Sequence, residues 1–304
     1  MTTLVNMDGN LVPPSQAMVS VFDRGFLYGD SVYEVVRTYR QRPFELDLHL
    51  ARLRRSAERL ALVLPWDEER TRAEIVRTLA ASRGGDVPDP AAAPWNAGER
   101  SLRVIMTRGA GEVGLDPALA VDPRAIVIAA PLRAPPAAAY GEGVACRIVG
   151  VRHDAPEAPD ATAKTGAHLA NVLAVAEARQ GGAHEALLLD RDGFVTEGAS
   201  SNVFAVRAGR LETPPLAIGI LEGVTRGIVL ALARDAGIEA REARLRPGDL
   251  ASANELFITS TAREILPVTR LDGSEVGSGG VGALTTRLHA LFRARADRAA
   301  GEVL

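Results

Sequence analysis

The chain has 304 residues, of which 47% are hydrophobic and 24% are charged, and its net charge at pH 7 is −3. This balance is typical of a well-packed globular protein and lacks the basic excess of a nucleic-acid binder, while no apolar run reaches the roughly 18 residues that a membrane helix needs. The N-terminal residues lack the pattern of a signal peptide, and Cys146 is the only cysteine, so no internal disulfide can form and a cytoplasmic location is expected.

The first half of the chain predicts strands followed by helices. The Asp8-Gly9 dipeptide between short apolar runs at 3–6 and 11–13 indicates an opening β-hairpin. Apolar residues from Leu50 to Leu60 recur at helical spacing, so one helix is expected there. The other elements predicted are strand 32–39, helix 67–82, a loop at 84–99, and strands 102–107 and 125–130 on either side of a Gly-rich segment at 108–116.

A Pro- and Ala-rich stretch at 131–139 is typical of an extended linker. We therefore predict a small N-terminal domain at 1–131, a linker at 132–139 and a larger domain at 140–304. The larger domain is expected to contain helix 168–180, strands 185–190 and 194–196 around a turn at 191–193, strand 202–206, helix 224–236, strand 256–259 and a C-terminal helix through 284–292. This mixture of hairpins and helices indicates an α+β fold.

Lysine use in this chain points to one residue. Lys164 is the only lysine among the 35 basic residues, and the other 34 are arginine. Guanidinium stays protonated and cannot form a Schiff base, whereas a desolvated lysine amine can lose its proton and attack a carbonyl. Lys164 is therefore a candidate covalent anchor, and a surface lysine that survived by chance is the alternative.

Other segments offer groups suited to an anionic, nitrogen-containing ligand. Glu197 follows a hairpin strand, where a carboxylate can pair with a protonated ring nitrogen; taken alone, it is also compatible with an ordinary exposed glutamate. Gly223 precedes a helix whose first amides favour an anion. Arg52 and the segment 259–262 add a fixed cation, hydroxyls and amides. Each feature alone is common in proteins.

Taken together and in this order, these segments resemble the class IV aminotransferases, the fold-type-IV enzymes that use pyridoxal 5′-phosphate (PLP). The family includes branched-chain aminotransferases, D-amino-acid aminotransferases and aminodeoxychorismate lyase. The resemblance covers nearly the whole chain. It rests on Asp23-Arg-Gly-Phe-Leu-Tyr-Gly-Asp30, Val32-Tyr-Glu-Val35, His49-Leu-Ala-Arg-Leu53, Lys164, Glu185-Ala-Leu-Leu-Leu-Asp190, Thr196-Glu-Gly-Ala-Ser-Ser-Asn-Val-Phe204, Gly223-Val-Thr-Arg226 and Glu255-Leu-Phe-Ile-Thr-Ser-Thr261.

The resemblance implies a fold and a set of site residues. The fold is a two-domain α+β subunit with a small α/β N-terminal domain, a larger pseudo-barrel C-terminal domain and the site between them. Lys164 carries the cofactor and moves protons, and Glu197 pairs with the pyridine nitrogen. The phosphate ligands implied are Arg52, Val224, Thr225, Ser260 and Thr261, and the substrate residues implied are Tyr28, Tyr33, Arg37, Arg103, Thr261 and Ala262. A homodimer is also implied, in which Tyr28 and the 108–116 loop reach the partner's site.

The family further implies a transaminase that moves an amino group between an amino acid and a 2-oxo acid. The segments 102–109 and 110–116 are similar to those of branched-chain enzymes. In those enzymes, the residues that match Arg103 and Tyr28 accept the side-chain carboxylate of glutamate. The sequence therefore predicts a branched-chain type that also uses glutamate and 2-oxoglutarate.

Some positions depart from the branched-chain pattern. Leu169 and Ser101 stand where those enzymes have tyrosines, and Val35 stands where they usually have glycine. These residues are closer to D-amino-acid aminotransferases, although the Arg-x-His pair of those enzymes is missing from the 108–116 loop. A transaminase of D-amino acids or (R)-amines is therefore the alternative.

Two other functions fit less well. Val35 replaces the threonine of aminodeoxychorismate lyase, and a non-catalytic PLP-binding protein has no need of the pocket arginine at position 103. The histidines, among them His153, lack the spacing of metal ligands. His168 follows Lys164 by four residues, and its role is left open between packing and polar support.

Overall fold

The computed structural model describes residues 3–83, 91–152 and 162–301. The chain forms two compact units, one of residues 1–90, 95–133 and 163–168, and one of residues 91–94, 134–162 and 169–304. Two sequence predictions lie outside the described residues: the 84–90 part of the expected loop, and His153.

The first unit is built on one antiparallel sheet. Its strands among the described residues are β1 Leu4–Met7, β2 Asn10–Val12, β3 Ser31–Tyr39, β4 Arg42–Pro43, β5 Arg100–Gly111 and β6 Ala120–Pro131. They lie in the order β2-β1-β6-β5-β3-β4. The predicted opening hairpin is confirmed, because Asp8 and Gly9 have φ angles of 53° and 97°, the left-handed pair of a type I′ turn.

Two longer helices cover one face of this sheet. The helices of the first unit are α1 Arg24–Tyr28, α2 Leu46–Arg59 and α3 Glu68–Ala81. The predicted apolar stripe on α2 is confirmed: Leu50, Leu53 and Ala57 are buried in one cluster with residues of β3, β5 and β6. At the start of α3, the side chain of Asp67 accepts a hydrogen bond from the N–H of Arg70 and caps the helix.

Strand β3 separates this core from the opposite face of the sheet. Alternate side chains of a strand point to opposite faces. Val32 and Val36 lie in the core cluster, and Glu34 contacts Arg52 of α2. The odd-numbered side chains of β3, among them Tyr33, therefore point away from the helices.

The second unit combines a mixed sheet with packed helices. Its helices among the described residues are α4 Ala137–Glu142, α5 Leu169–Gln180, α6 Val224–Asp235, α7 Pro247–Ala251 and α8 Ala283–Gly301. Its strands are β7 Val144–Arg152, β8 Glu185–Leu189, β9 Val195–Gly198, β10 Asn202–Arg207, β11 Arg210–Thr213, β12 Ala240–Glu242, β13 Glu255–Ser260, β14 Glu264–Leu271 and β15 Ser274–Glu275.

The strand order makes this second sheet curl. The strands run β12-β11-β10-β13-β14-β7-β8-β9, with β15 paired to β14. An isolated bridge between Gly198 and Ser201 joins the end of β9 to the start of β10. Strand β9, the last in this order, therefore meets β10, which lies inside it. Inside, Phe204 of β10 stacks on Phe257 of β13 with ring centroids 4.9 Å apart.

The structure corrects several local predictions. The stretch at 131–139 is not wholly extended, because β6 runs to Pro131 and α4 begins at Ala137. The Gly-rich segment at 108–116 is in part strand, since β5 continues to Gly111 through irregular pairing with β6. Strands β4, β7, β11, β12, β14 and β15 were not predicted. No helix in the described part of the chain is long and apolar enough to cross a membrane.

Candidate active site

The backbone of Lys164 is held from two sides in the first unit. Its N–H donates to the Oγ of Ser56 on α2, and its carbonyl oxygen accepts from the N–H of Tyr33, both at 3.0 Å. The next residue, Thr165, forms an isolated antiparallel bridge with Val32. The lysine therefore sits on a segment that lies along β3, and its position is set by backbone contacts.

The ring of Tyr33 is a platform for three polar side chains. Lys164 Nζ lies 4.5 Å from the ring centroid, and the guanidinium carbon of Arg103 lies 4.1 Å from it. The ring of His168 meets Tyr33 edge-on, with centroids 5.1 Å apart. Cations are attracted to the face of an aromatic ring. The Tyr33 ring therefore contacts side chains that are far apart in the sequence.

Arg103 is a half-buried cation without a carboxylate partner among the described residues. In the antiparallel ladder it lies opposite Val35, and Ser101 lies opposite Arg37, so all four side chains share the face of Tyr33. A guanidinium in this state is suited to bind the carboxylate of a ligand.

Arg37 has a different environment from Arg103. It is only 1% exposed, its Nη2 donates to Asn96 Oδ1 at 2.8 Å, and its guanidinium carbon lies 4.1 Å from the ring centroid of Tyr39. The residue is thus enclosed by protein, and these contacts support a role in shaping the face that carries Arg103. Direct contact with a substrate stays a prediction.

Arg52 belongs to a buried group of three side chains. Its Nε and Nη2 donate to the two carboxylate oxygens of Glu34 at 2.6 and 2.8 Å, and His49 Nδ1 lies 2.7 Å from the same carboxylate. Burial raises the pKa of Glu34, but the charges and hydrogen bonds of Arg52 and His49 outweigh burial and lower that pKa to about 2. Glu34 is therefore ionised at neutral pH and orients the guanidinium.

Tyr28 lies at the end of α1 and contacts the loop that follows β5. Its hydroxyl accepts from the N–H of Gly114 at 3.2 Å. Arg24 donates to the carbonyl oxygens of Gly114 and Leu115 at 2.6 and 3.2 Å. The loop is thus tied to α1, while Val113 and Leu115 are 68% and 80% exposed.

In the second unit, Glu197 lies where β9 turns back into β10. Gly198 and Ser201 pair across this turn, and the N–H of Gly198 donates to the Ser201 carbonyl at 2.7 Å. This pairing sets Glu197 opposite Asn202. A Cβ on Gly198 would lie 2.2 Å from Ser201 Oγ, so the tight return requires glycine or a shift of the turn.

The carboxylate of Glu197 accepts hydrogen bonds from β10 and from the segment before α6. Asn202 Nδ2 donates to its Oε2 at 3.1 Å, and the N–H of Leu221 lies 3.3 and 3.2 Å from Oε1 and Oε2. Asn202 Nδ2 also donates to the Leu221 carbonyl oxygen at 3.1 Å. The orientation of Glu197 is thus defined by neighbours on two segments.

The N-terminus of α6 fits an anion in its chemistry. Its N-cap residue, Gly223, has no side chain that could accept a hydrogen bond from the first amides of the helix, among them those of Val224 and Thr225. Thr259 pairs with Asn202 between β13 and β10, and its buried Oγ1 has no hydrogen-bond partner among the described residues. A buried hydroxyl without a partner is a place where a ligand atom can complete the hydrogen bonding.

Ser260 ends β13 and pairs with Glu264, and Thr261 and Ala262 lie in the tight turn between β13 and β14. The turn ends at Glu264, a buried residue with a left-handed φ of 58°. Two residues of α8 hold its carboxylate: His289 Nε2 lies 2.7 Å away, and Arg293 Nη1 donates at 2.9 Å. Helix α8 therefore fixes the end of the turn.

Sequence reasoning missed Glu34 and Asn202 as residues of these two regions, whereas Thr259 lies in the predicted segment 259–262. Asn202 follows Glu197 by five residues around a glycine turn, and this spacing could have paired the two across a hairpin. No signal in the sequence marked the Thr259 hydroxyl as buried without a partner.

Comparison with known proteins identifies the family. A family model described as amino-transferase class IV matches residues 31–271. The chain belongs to the class IV aminotransferases. This aminotransferase is 37% identical over 289 residues to a putative branched-chain-amino-acid aminotransferase of Methanocaldococcus jannaschii, with 95% of each chain covered. It is also 32% identical over 281 residues to a D-alanine aminotransferase of Bacillus licheniformis, with 92% of this chain and 93% of that protein covered.

Solved structures agree with this assignment. The branched-chain amino acid aminotransferase of Escherichia coli matches with a TM-score of 0.88 and 29% identity over 97% of this chain and 94% of that one. The branched-chain enzyme of Thermoproteus uzoniensis with norvaline matches with a TM-score of 0.86 and 30% identity over 97% of this chain and 95% of that one. The expected fold-type-IV α+β architecture and the expected transaminase class are thereby confirmed, and the substrates are amino acids and 2-oxo acids.

A further solved structure bears on the cofactor. It is a branched-chain amino acid aminotransferase complexed with N-(5′-phosphopyridoxyl)-L-glutamate, and it matches with a TM-score of 0.85 and 28% identity over 97% of this chain and 94% of that one. The ligand of that relative joins a phosphopyridoxyl group to glutamate, which is consistent with the cofactor that the family implies.

Proposed function

We propose that this aminotransferase uses PLP, carried by Lys164, to exchange amino groups between L-branched-chain amino acids and 2-oxoglutarate. The substrate class rests on Arg103. Its half-buried guanidinium has no carboxylate partner among the described residues, and it contacts the same Tyr33 ring as Lys164. A glutamate side chain would supply the missing carboxylate, and Ile105, which lies two residues from Arg103 on the same face of β5, suits an aliphatic chain.

The residues present in the first unit fit the proposed cofactor. Lys164 offers a primary amine, and Tyr33 offers an aromatic face beside it. Glu34 binds the Nε and Nη2 edge of Arg52 and fixes the direction of the guanidinium, which is a proposed phosphate ligand. The ion pair keeps Arg52 in one orientation and so reduces the entropy lost when the phosphate binds.

The residues of the second unit fit it as well. Glu197 is suited to hold the proton on the pyridine nitrogen, and the amides of Val224 and Thr225 to bind phosphate oxygens. Ser260 and Thr261 add hydroxyls to the proposed phosphate ligands. The buried Thr259 hydroxyl has no hydrogen-bond partner among the described residues, which supports the presence of a ligand beside these residues of the second unit. When bound, PLP would supply the electron sink for charge that develops at the substrate Cα.

The chain's own residues then carry out binding and proton transfer. Lys164 removes the proton from the substrate Cα and returns it on the product side, as a positioned amine can. Arg103 holds the distal carboxylate of glutamate, and the Tyr33 ring contacts the side chains of both Arg103 and Lys164. The amides of Thr261 and Ala262, in the turn that α8 fixes, are proposed to bind the α-carboxylate.

We also propose that the protein is a homodimer in the cytoplasm. The first unit exposes a group of large apolar side chains that a second copy would cover, namely Met18, Val19, Val21, Phe22, Phe26, Val113, Leu115 and Val121. Tyr28 is bonded to the loop that carries Val113 and Leu115, which supports its proposed place beside the partner's site. Sedimentation of the wild type and of Phe26→Asp tests this: we expect a dimer, and a smaller species for the variant.

One observation favours a second substrate class. Val35 places a branched side chain directly opposite Arg103, where branched-chain enzymes usually have glycine. This side chain narrows the space beside the guanidinium and suits a short substrate such as D-alanine. The D-alanine aminotransferase of Bacillus licheniformis is among the relatives, which is consistent with this alternative.

A comparison of amino donors decides between the two classes. The purified protein is loaded with PLP, and cofactor absorbance is followed after addition of L-leucine, L-glutamate, D-alanine or (R)-1-phenylethylamine. We expect rapid conversion by L-leucine and L-glutamate, and we expect Arg103→Leu to impair glutamate more than leucine. Conversion by D-alanine or the amine alone would establish the alternative, and a wild type that takes up no PLP would refute the cofactor assignment.

A further inference from the structure

We infer that Asn202 is a positioning residue for Glu197, which it holds in the orientation that meets the cofactor's ring nitrogen. The inference rests on the proposed function, because Glu197 acts on that nitrogen only if PLP is bound. Asn202 acts through Glu197 and is not proposed to contact a reacting atom.

The contacts of Asn202 join three parts of the second unit. Its Nδ2 donates to Glu197 Oε2 and to the Leu221 carbonyl oxygen, both at 3.1 Å. Its Oδ1 occupies the space beside Gly223, 2.0 Å from where a Cβ on that residue would lie. One side chain therefore links the carboxylate, the segment before α6 and the N-cap of α6.

Asparagine suits this position for two reasons. The residue is 5% exposed, and a buried amide is costly unless its donors and acceptor are used. Its NH₂ group can donate to a carboxylate and a carbonyl at once, whereas aspartate in its place would repel Glu197 and alanine would leave the Leu221 carbonyl without this donor.

The hairpin explains why these two residues meet. Because Gly198 and Ser201 pair across the turn, Glu197 and Asn202 face each other from the ends of β9 and β10. Leu221 donates its N–H to the same carboxylate from outside the hairpin. With Asn202 removed, Glu197 would keep the Leu221 bond but lose the hydrogen bond that Asn202 donates across the hairpin.

The test is a double-mutant cycle in PLP affinity, measured by titrating the full-length apoenzyme with PLP and following absorbance and fluorescence. The variants are Asn202→Ala, Glu197→Ala and the double variant. A lost hydrogen bond to a charged group weakens binding by about tenfold, so we expect that loss for Asn202→Ala in the wild-type background. In the Glu197→Ala background we expect Asn202→Ala to have no further effect, because the residue acts through Glu197.

Controls separate positioning from a general loss of stability. Thr213 is a buried residue of β11 whose Oγ1 donates to the Val203 carbonyl oxygen of β10 at 2.8 Å. Thr213→Val removes a hydrogen bond from the same strand and should lower the melting temperature without changing PLP affinity. Asn202→Asp keeps the shape of the side chain and replaces its donor by an acceptor, so it serves if the alanine variant does not fold, with at least as large a loss of affinity.

The outcomes are distinguishable. Unchanged affinity in Asn202→Ala, or an equal loss in both backgrounds, would overturn the positioning role while leaving the proposed function intact. A wild type that binds no PLP would instead remove the proposed function on which the inference rests. Loss of affinity in the wild-type background alone would support the role.

Discussion

Glu34 engages Arg52 through both carboxylate oxygens, at 2.6 Å from Nε and 2.8 Å from Nη2, inside the core of the first unit. The pair joins β3 to α2 on the face opposite Tyr33, so the same strand carries a buried ion pair on one side and candidate substrate residues on the other. A charge pair in such a place stabilises only while both partners remain ionised. The geometry of the candidate site is therefore linked to pH.

We predict that Glu34 makes folding stability depend on pH in acid. Its pKa in the folded protein is about 2, below the ordinary value of 4.5. A group with a lowered folded pKa contributes stability above its unfolded pKa, and that contribution is lost as the pH falls from 4.5 toward about 2. The contribution at neutral pH is about 3 kcal/mol. Urea unfolding of wild type and Glu34→Gln should give a difference that shrinks as the pH falls.

The control for this prediction is an exposed ion pair on the same helix. Arg54 and Glu58 lie 3.7 Å apart with side chains 62% and 65% exposed. Glu58→Gln should change the free energy of unfolding by less than about 0.5 kcal/mol at any pH. A difference for Glu34→Gln that does not vary with pH would show that Glu34 contributes by shape rather than by charge.

Replacement of Lys164 should abolish transamination and leave the fold intact. The hydrogen bonds of Lys164 to Ser56 and Tyr33 use its backbone, so Lys164→Ala retains them. We expect turnover to fall by about 10³-fold or more, because both the covalent anchor and the proton-transfer group are lost. Lys164→Arg keeps the charge but cannot form a Schiff base, and should be equally inactive. Circular dichroism and turnover together check this; substantial turnover in either variant would contradict the role of Lys164.

Tyr33 should act through its ring and not through its hydroxyl. The ring lies within 4.1 and 4.5 Å of the cationic groups of Arg103 and Lys164. Tyr33→Leu removes this face and should lower kcat/KM for glutamate by about tenfold. Tyr33→Phe keeps the face and should retain activity, which makes it the matched control. Equal losses in the two variants would indicate that the hydroxyl is the functional group.

The helices of the first unit were predictable because their signals are local. The apolar stripe from Leu50 predicts α2, and Asp67 marks the start of α3, since a helix buries one face and needs a cap. Strand β14 was missed for a physical reason. Pro267 lies inside it, opposite Phe257, and proline usually argues against a paired strand.

The candidate site was predictable in its members but not in its arrangement. Family resemblance named Tyr33, Arg103 and Lys164 one by one, whereas their shared ring contact follows from the register of β3 with β5 and from the bridge at Thr165. Register depends on long-range pairing, which no short spacing in the sequence contains. For the same reason, the sequence does not reveal buried partners such as Glu34.

The end of α2 carries a strained residue that offers a stability prediction independent of the site. Ala61 follows the C-cap residue Leu60 and has a left-handed φ of 46°. The N–H of Leu62 donates to the Ala57 carbonyl at 2.9 Å, and that of Ala61 donates to the Glu58 carbonyl at 3.1 Å. These are the bonds of a Schellman motif, whose left-handed position is usually glycine because a Cβ is disfavoured there.

Ala61→Gly should therefore stabilise the protein by about 0.5–1 kcal/mol, since it relieves the strain of a side chain in the left-handed region. The matched control is the same substitution at Ala73, an exposed position inside α3. Ala73→Gly should destabilise by about 1 kcal/mol, because glycine loses more backbone freedom when a helix forms. Urea unfolding of both variants at neutral pH measures the two effects. Changes of opposite sign are expected, and destabilisation by both would mean that the left-handed turn at Ala61 is not strained.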